Sequence, residues 1–317
     1  MAKNTFATGM QTPSPEAMIA LHLLFCLLAS ASAYSKGTRD QRCSHGVCVS
    51  AQDSKEWQRV RSALNEGDFS SLFDVEGSGY SSNGNYTGNY EYSSGNKGNF
   101  SEAFETVVED LGGNTFKGTT THLVLIQGSY TTAYDQATYL TVTSNYTVAD
   151  NLVVWQQEGE GKFYMKDAHG QYSEVADVTV TGSGIVRTLS QKDSTMLMEN
   201  TQVIGAGDFS SVAKASFNLA IEVGAEDSKV TGTQTMTSKT GSSGWVLLSE
   251  IEQTQPLPMH DGPFEVVATG VMQDPSGLST MKSKGSGYMW YPEAPSDVKE
   301  WIGHHVALSL RNTGFVF

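Results

Sequence analysis

Few side chains in this sequence are able to move a proton. His122 sits between Thr121 and Leu123 in residues 120–126, a run that reads as a strand. If it shares a face with Val124 and Ile126, it points into an apolar interior. Burial there without a carboxylate partner would lower the imidazole pKa. Such a histidine is either a hydrogen-bonded core residue or a general base in a closed pocket. Glu222, in the alternating run FNLAIEV (residues 217–223), and His260, in a His-Asp-Gly-Pro turn, complete the candidate acid–base set. His304 and His305 are adjacent. Neighbouring strand residues face opposite sides, so these two do not make a metal site. No metal and no cofactor is expected. The chain has no G-x-S-x-G elbow, no H-E-x-x-H, no P-loop, no G-x-G-x-x-G after a strand and no EF-hand loop.

The large aromatic residues point to a different chemistry. Trp155 closes the apolar run Leu152-Val153-Val154, and Trp245 opens the run Val246-Leu247-Leu248. Tyr288 and Trp290 belong to the dense aromatic segment Tyr-Met-Trp-Tyr. They are either core packing or the lining of a cavity for a flat apolar ligand, since such cavities are mainly apolar with a few polar groups.

The elements that would position these residues change along the chain. Residues 53–64 read as a helix, with Asp53 and Glu56 as a capping box and Trp57, Val60 and Leu64 on one face. Residues 77–98 are rich in Gly, Ser, Asn and Tyr and show no periodicity, so they read as a disordered loop. Residues 102–111 read as a second helix, with Ser101 as cap and Phe104, Val107, Val108 and Leu111 at 3.6-residue spacing. From residue 114 the apolar period becomes two, in many short runs rich in Thr, Val, Tyr and Phe and separated by turn residues. The fold class that follows is all-β: an antiparallel barrel or sandwich of about ten or more short strands. The expected organisation is a leader at 1–33, an N-terminal extension at 34–113 and the barrel at 114–317.

Residues 17–33 form an uncharged apolar run that ends in Ala31-Ser32-Ala33, the pattern of a cleaved secretory signal. The run is too short to span a membrane as a helix, so a secreted, extracellular chain with no membrane insertion is expected. In an oxidising compartment Cys43 and Cys48 would pair, closing a small loop worth only roughly 2 kcal/mol. Asn85, Asn99 and Asn145 each begin an Asn-x-Ser/Thr triplet and are candidate glycosylation sites. The 34 acidic and 20 basic residues leave a formal charge of −14 without acidic runs. That balance excludes a nucleic-acid partner, which needs a basic footprint. The oligomeric state is open.

Residues 203–209, VIGAGDF, precede a strand-like run. They resemble the Gly-Gly-x-Gly-x-Phe turn of the allene oxide cyclase and dirigent-like β-barrel proteins. The resemblance covers about 20 residues and carries over no catalytic residue. It implies a barrel with a mostly apolar cavity that guides a reactive small molecule. The expectation drawn from all of this is a secreted, glycosylated barrel that binds a small apolar or aromatic molecule. The alternatives are a cofactor-independent cyclase, isomerase or oxygen-using enzyme on the same scaffold, or a matrix or surface component.

Overall fold

A computed structural model describes residues 41–44, 47–66, 80–129, 133–149, 151–190, 192–205, 211–240, 243–257 and 260–290. The leader, His304 and His305 and the last part of the region read as barrel, residues 291–317, lie outside these residues.

Twelve strands make one closed barrel. They are β3 (Tyr80–Tyr92), β4 (Lys97–Gly112), β5 (Thr115–Ser129), β6 (Ala133–Ala149), β7 (Leu152–Lys166), β8 (Tyr172–Thr188), β9 (Asp193–Ile204), β10 (Ser211–Val223), β11 (Asp227–Thr240), β12 (Ser243–Pro256), β13 (Gly262–Asp274) and β14 (Gly277–Trp290). Each pairs antiparallel with the next, and β14 pairs with β3 to close the ring. The all-β antiparallel barrel read from the sequence is therefore present, in the form that leaves no edge strand.

The alternation that makes the strands also fixes their two faces. In β10, Ala213, Ala215, Phe217, Leu219 and Ile221 are buried, while Lys214, Asn218 and Glu222 are exposed. In β11, Val230, Gln234 and Met236 point in, and Lys229, Thr231, Thr233, Thr235, Thr237 and Lys239 point out. The inward set from all twelve strands forms one core, with Tyr86, Phe100, Phe163, Val178, Met198 and Phe264 among its members.

Two segments differ from their sequence reading. The supposed loop at 77–98 contributes β3, and the supposed helix at 102–111 lies within β4. Both therefore belong to the barrel, which begins upstream of residue 114. In β3 the inward positions are Gly84, Tyr86, Gly88, Tyr90 and Tyr92, so the alternation is Gly/Tyr against Asn/Thr. In β4, Val107 and Val108 are both buried but on opposite faces, which imitates helical spacing.

Inward glycines serve as seats for aromatic rings on the neighbouring strand. Gly84 faces Phe104, Gly128 faces Tyr134, Gly184 faces Trp155 and Gly287 faces Phe264, each a direct register partner. A Cβ on any of them would meet the ring, so the missing side chain is what lets the ring lie flat on the sheet.

Before the barrel come a hairpin, β1 (Gln41–Ser44) and β2 (Val47–Ser50), and one helix, α1 (Ala51–Glu66). The hairpin register sets Cys43 opposite Cys48. Helix α1 covers the helix read at 53–64 but begins two residues ahead of Asp53, so the Asp53/Glu56 pair does not mark its start. Val60, Ala63 and Leu64 dock on an outward apolar patch of Leu123, Ala137, Tyr139, Tyr164 and Tyr172. The Tyr172 amide donates to Asn65 Oδ1 at 2.8 Å.

Candidate functional site

His122 is inside the barrel, fully buried on the same face as Val124 and Ile126. It does not lack a carboxylate. Its Nδ1–H donates to Glu102 Oε1 at 2.7 Å, and the Phe104 ring lies 6.1 Å from its own. Glu102 escaped the sequence reading because it was placed in a helical first turn. The other two candidate acid–base residues are elsewhere: Glu222 is exposed on the outer face of β10, and His260 is exposed just ahead of β13. The three do not meet, so no acid–base site is assembled from them. Among the described residues no group of three or more His, Cys, Asp or Glu is placed to hold a metal. Within the core, Gln157 Nε2 donates to Asn200 Oδ1 at 2.8 Å, and Ser144 donates to Gln157 Oε1. The Glu102–His122 pair acts as a strut of the same kind. Glu102→Ala should lower stability by about 1–3 kcal/mol, the scale of a buried polar group left without its partner. Urea melts of the two proteins check this, and an unchanged midpoint would rule the strut out.

The aromatic candidates divide between the faces. Trp155 and Trp245 are buried in the interior, with Trp155 seated on Gly184 and 6.1 Å from Tyr146. Tyr288 and Trp290 point outward, because Met281 and Met289 take the inward positions of β14. Their rings lie 4.7 Å apart, tilted by 42°, and Trp290 is 39% exposed. The expected cavity walled by all four aromatics therefore does not form.

What the outer face does hold is a polar groove of about 600 Å³ across β14, β3, β4 and β5. Its walls are Thr87, Asn89, Asn99, Ser101, Gln127, Lys284 and Ser286, with Leu125 and Tyr172 as an apolar flank. Gly88 and Gly285, whose Cβ positions face the barrel interior, contribute only backbone to its floor. A second depression of about 470 Å³ adjoins it and shares Asn89, Asn99 and Gln127. Asn85 and Asn99 are thus on the groove's face, whereas Asn145 points outward from β6. Sequence reading missed the groove because β3, which supplies Thr87 and Asn89, was read as a loop, and because Asn99, Gln127 and Lys284 become neighbours only once the strands pair.

No protein-family model and no curated protein matches the sequence. Solved structures do share the fold. An outer membrane channel from Pseudomonas putida F1 aligns at a TM-score of 0.51 with 9% identity, over 68% of this chain and 97% of that one. The beta domain of the Bordetella autotransporter BrkA aligns over 68% of this chain and 99% of its own, with 11% identity. Its TM-score of 0.41 carries no further weight.

These findings correct the earlier expectations. The solved structures that share the fold are outer membrane barrels, not allene oxide cyclase or dirigent-like proteins, and among the described residues one twelve-strand ring takes up residues 80–290. The reading as a freely secreted, glycosylated, soluble binder of a small apolar or aromatic molecule falls with it. The fold it shares is that of a membrane channel, and the aromatic cavity it required is absent in the form expected. The expected absence of membrane insertion loses its support for the same reason. What the likeness carries, at 9% identity, is the fold. A membrane barrel has apolar side chains outside and polar ones inside. Here both faces are mixed: Glu199, Lys214, Glu250, Glu265, Lys282 and Lys284 are exposed on outward strand positions beside Val246, Leu248, Val267 and Val271, and Trp155, Phe217 and Val266 lie inside beside Gln136, Gln157, Gln202 and Gln253.

Proposed function

We propose that this barrel is a carbohydrate-binding scaffold that works through its outer face. The observation that carries the reading is the composition of the groove. Three amide side chains (Asn89, Asn99, Gln127) and three hydroxyls (Thr87, Ser101, Ser286) converge on a concave surface with one apolar flank. An amide offers two donors and an acceptor together, and a hydroxyl is both donor and acceptor. Sugar hydroxyls, which also donate and accept, match that set. A phosphate or a peptide carboxylate would need more cations than the single lining lysine, Lys284.

Electrophoresis of the full chain through gels holding soluble plant, algal or bacterial polysaccharides tests this. Retardation by at least one polymer is expected. The double variant Asn89→Ala/Gln127→Ala should weaken it about tenfold, the scale of two lost hydrogen bonds. Free migration in every gel would end the proposal.

A membrane channel is the second reading, favoured by the fold shared with the Pseudomonas channel. The packed core argues against conduction, and charges on the outer face cost about 2–4 kcal/mol each for Lys or Arg near a bilayer midplane. Planar bilayers exposed to the refolded chain should show no unitary conductance. Discrete current steps would reverse the order of the two readings.

A further inference from the structure

The groove does not end at Ser286. On the outer face the register runs Ser286 opposite Thr87, then Tyr288 opposite Asn85, then Trp290 opposite Asn83. These are successive outward positions of the same two strands. The aromatic pair is therefore a direct continuation of the groove along the β14–β3 seam. From Lys284 to Trp290 the seam covers about 20 Å at the usual strand rise. That is longer than any mono- or disaccharide.

We infer that the ligand is a linear polysaccharide bound along the seam, with Tyr288 and Trp290 as a stacking subsite at one end and the amide-lined groove at the other. This rests on the carbohydrate reading of the groove and adds to it the chain length and the terminal subsite. The two ends supply different chemistry. In the groove, hydrogen-bond donors and acceptors read the edges of the sugar rings. At the seam's end, two outward aromatic rings lie 4.7 Å apart at a tilt of 42°, Trp290 leaves part of its ring open to solvent, and the neighbouring Asn83 and Asn85 supply polar groups beside them. The C–H face of a pyranose ring packs on such a surface. An exposed tryptophan next to amides serves that contact better than it serves core packing, where Met289 already fills the inward position. A polymer bridging both subsites gains from their linkage, because the second contact becomes intramolecular.

Calorimetry with oligosaccharides of graded length tests the inference, using laminarin-, cellulose- and pectin-derived fragments from the monomer upward. For the series that binds, affinity should rise with length until the fragment reaches the aromatic pair, and then level off. Trp290→Ala should weaken the long fragments about tenfold or more, the scale of one aromatic anchor, and leave the short ones unchanged. Tyr288→Ala should act in the same direction. Thermal melts check that both variants keep the fold, as expected for outward residues. Short fragments that bind as tightly as long ones, or a Trp290→Ala variant indistinguishable from the parent on long fragments, would overturn the seam inference and leave the groove reading standing. Failure of every fragment and every polymer to bind would overturn both.

Discussion

The barrel should lose stability steeply above about pH 10. Tyr86, Tyr90 and Tyr92 line the interior of β3, each about 1% exposed. Their phenols are held well above the ordinary range near 10, first by burial. The neighbouring Glu102 adds to this at Tyr86, and Tyr134 adds to it at Tyr90 and Tyr92. Tyr90 and Tyr134 share a hydrogen bond of 2.6 Å, and the Tyr134 hydroxyl donates to Asn96 Oδ1 at 3.2 Å. The folded pKa exceeds the unfolded one, so the contribution is complete below about 10, where both states hold the proton. Above that the unfolded chain ionises and the folded chain does not. Stability then falls by about 1.4 kcal/mol per pH unit for each phenol, or about 4 for the three together. Denaturant melts on either side of pH 10, with tyrosinate absorbance recorded in parallel, measure this. Ionisation of these tyrosines near 10 in a barrel that stays folded would show that the interior is open to solvent.

Trp155 and Trp290 should give opposite phenotypes. Trp155→Ala removes a fully buried ring from its seat on Gly184 and should cost about 3–5 kcal/mol, as large-to-small core changes do. In a domain of this size that lowers the thermal midpoint by roughly 2–4 °C per kcal/mol. Polysaccharide binding by the fraction still folded should be unaltered. Trp290→Ala should change the midpoint little and remove the contact with long sugars. A Trp155 variant as stable as the parent would mean that the barrel is not closed around that ring. A Trp290 variant that loses stability to the same extent would place the ring in a packed core.

Much of the barrel is visible in the sequence wherever one face is apolar and the other charged. Phe217, Leu219 and Ile221 against Asn218 and Glu222 is such a case; β11 to β13 keep the period of two, but with Val246, Leu248, Val267 and Val271 outward and Gln234 and Gln253 inward. The signal fails where small residues replace large ones. In β3 the inward glycines carry no hydrophobicity of their own, since the rings they accommodate, Phe104 and Phe100, come from β4. A tyrosine–glycine alternation against asparagine and threonine then passes for low complexity. In β4 the adjacent Val107 and Val108 are buried for different reasons, one inside the barrel and one on its outer face, so a period of two looks like 3.6. His122 was legible as a buried strand histidine, but its partner was not, because Glu102 is its neighbour only once β4 and β5 pair. The direction of Trp290 was not legible either. Methionine and tryptophan alternate there, and hydrophobicity alone does not say which of them the core takes.

The order of the strands has a kinetic consequence. Eleven of the twelve seams join strands that follow one another in sequence, and each can zip as a local hairpin. The twelfth, β14 to β3, joins residues nearly the whole barrel apart, as in the bond from the Thr280 amide to Ser93 Oγ across 187 positions. Loop-closure entropy makes that joint the natural last step of folding. The groove and the aromatic pair straddle this joint, so an open, eleven-seamed intermediate has no complete site. A ligand that binds there holds the ring shut, slowing its opening in proportion to occupancy. Recognition and circularisation of the chain are then one event.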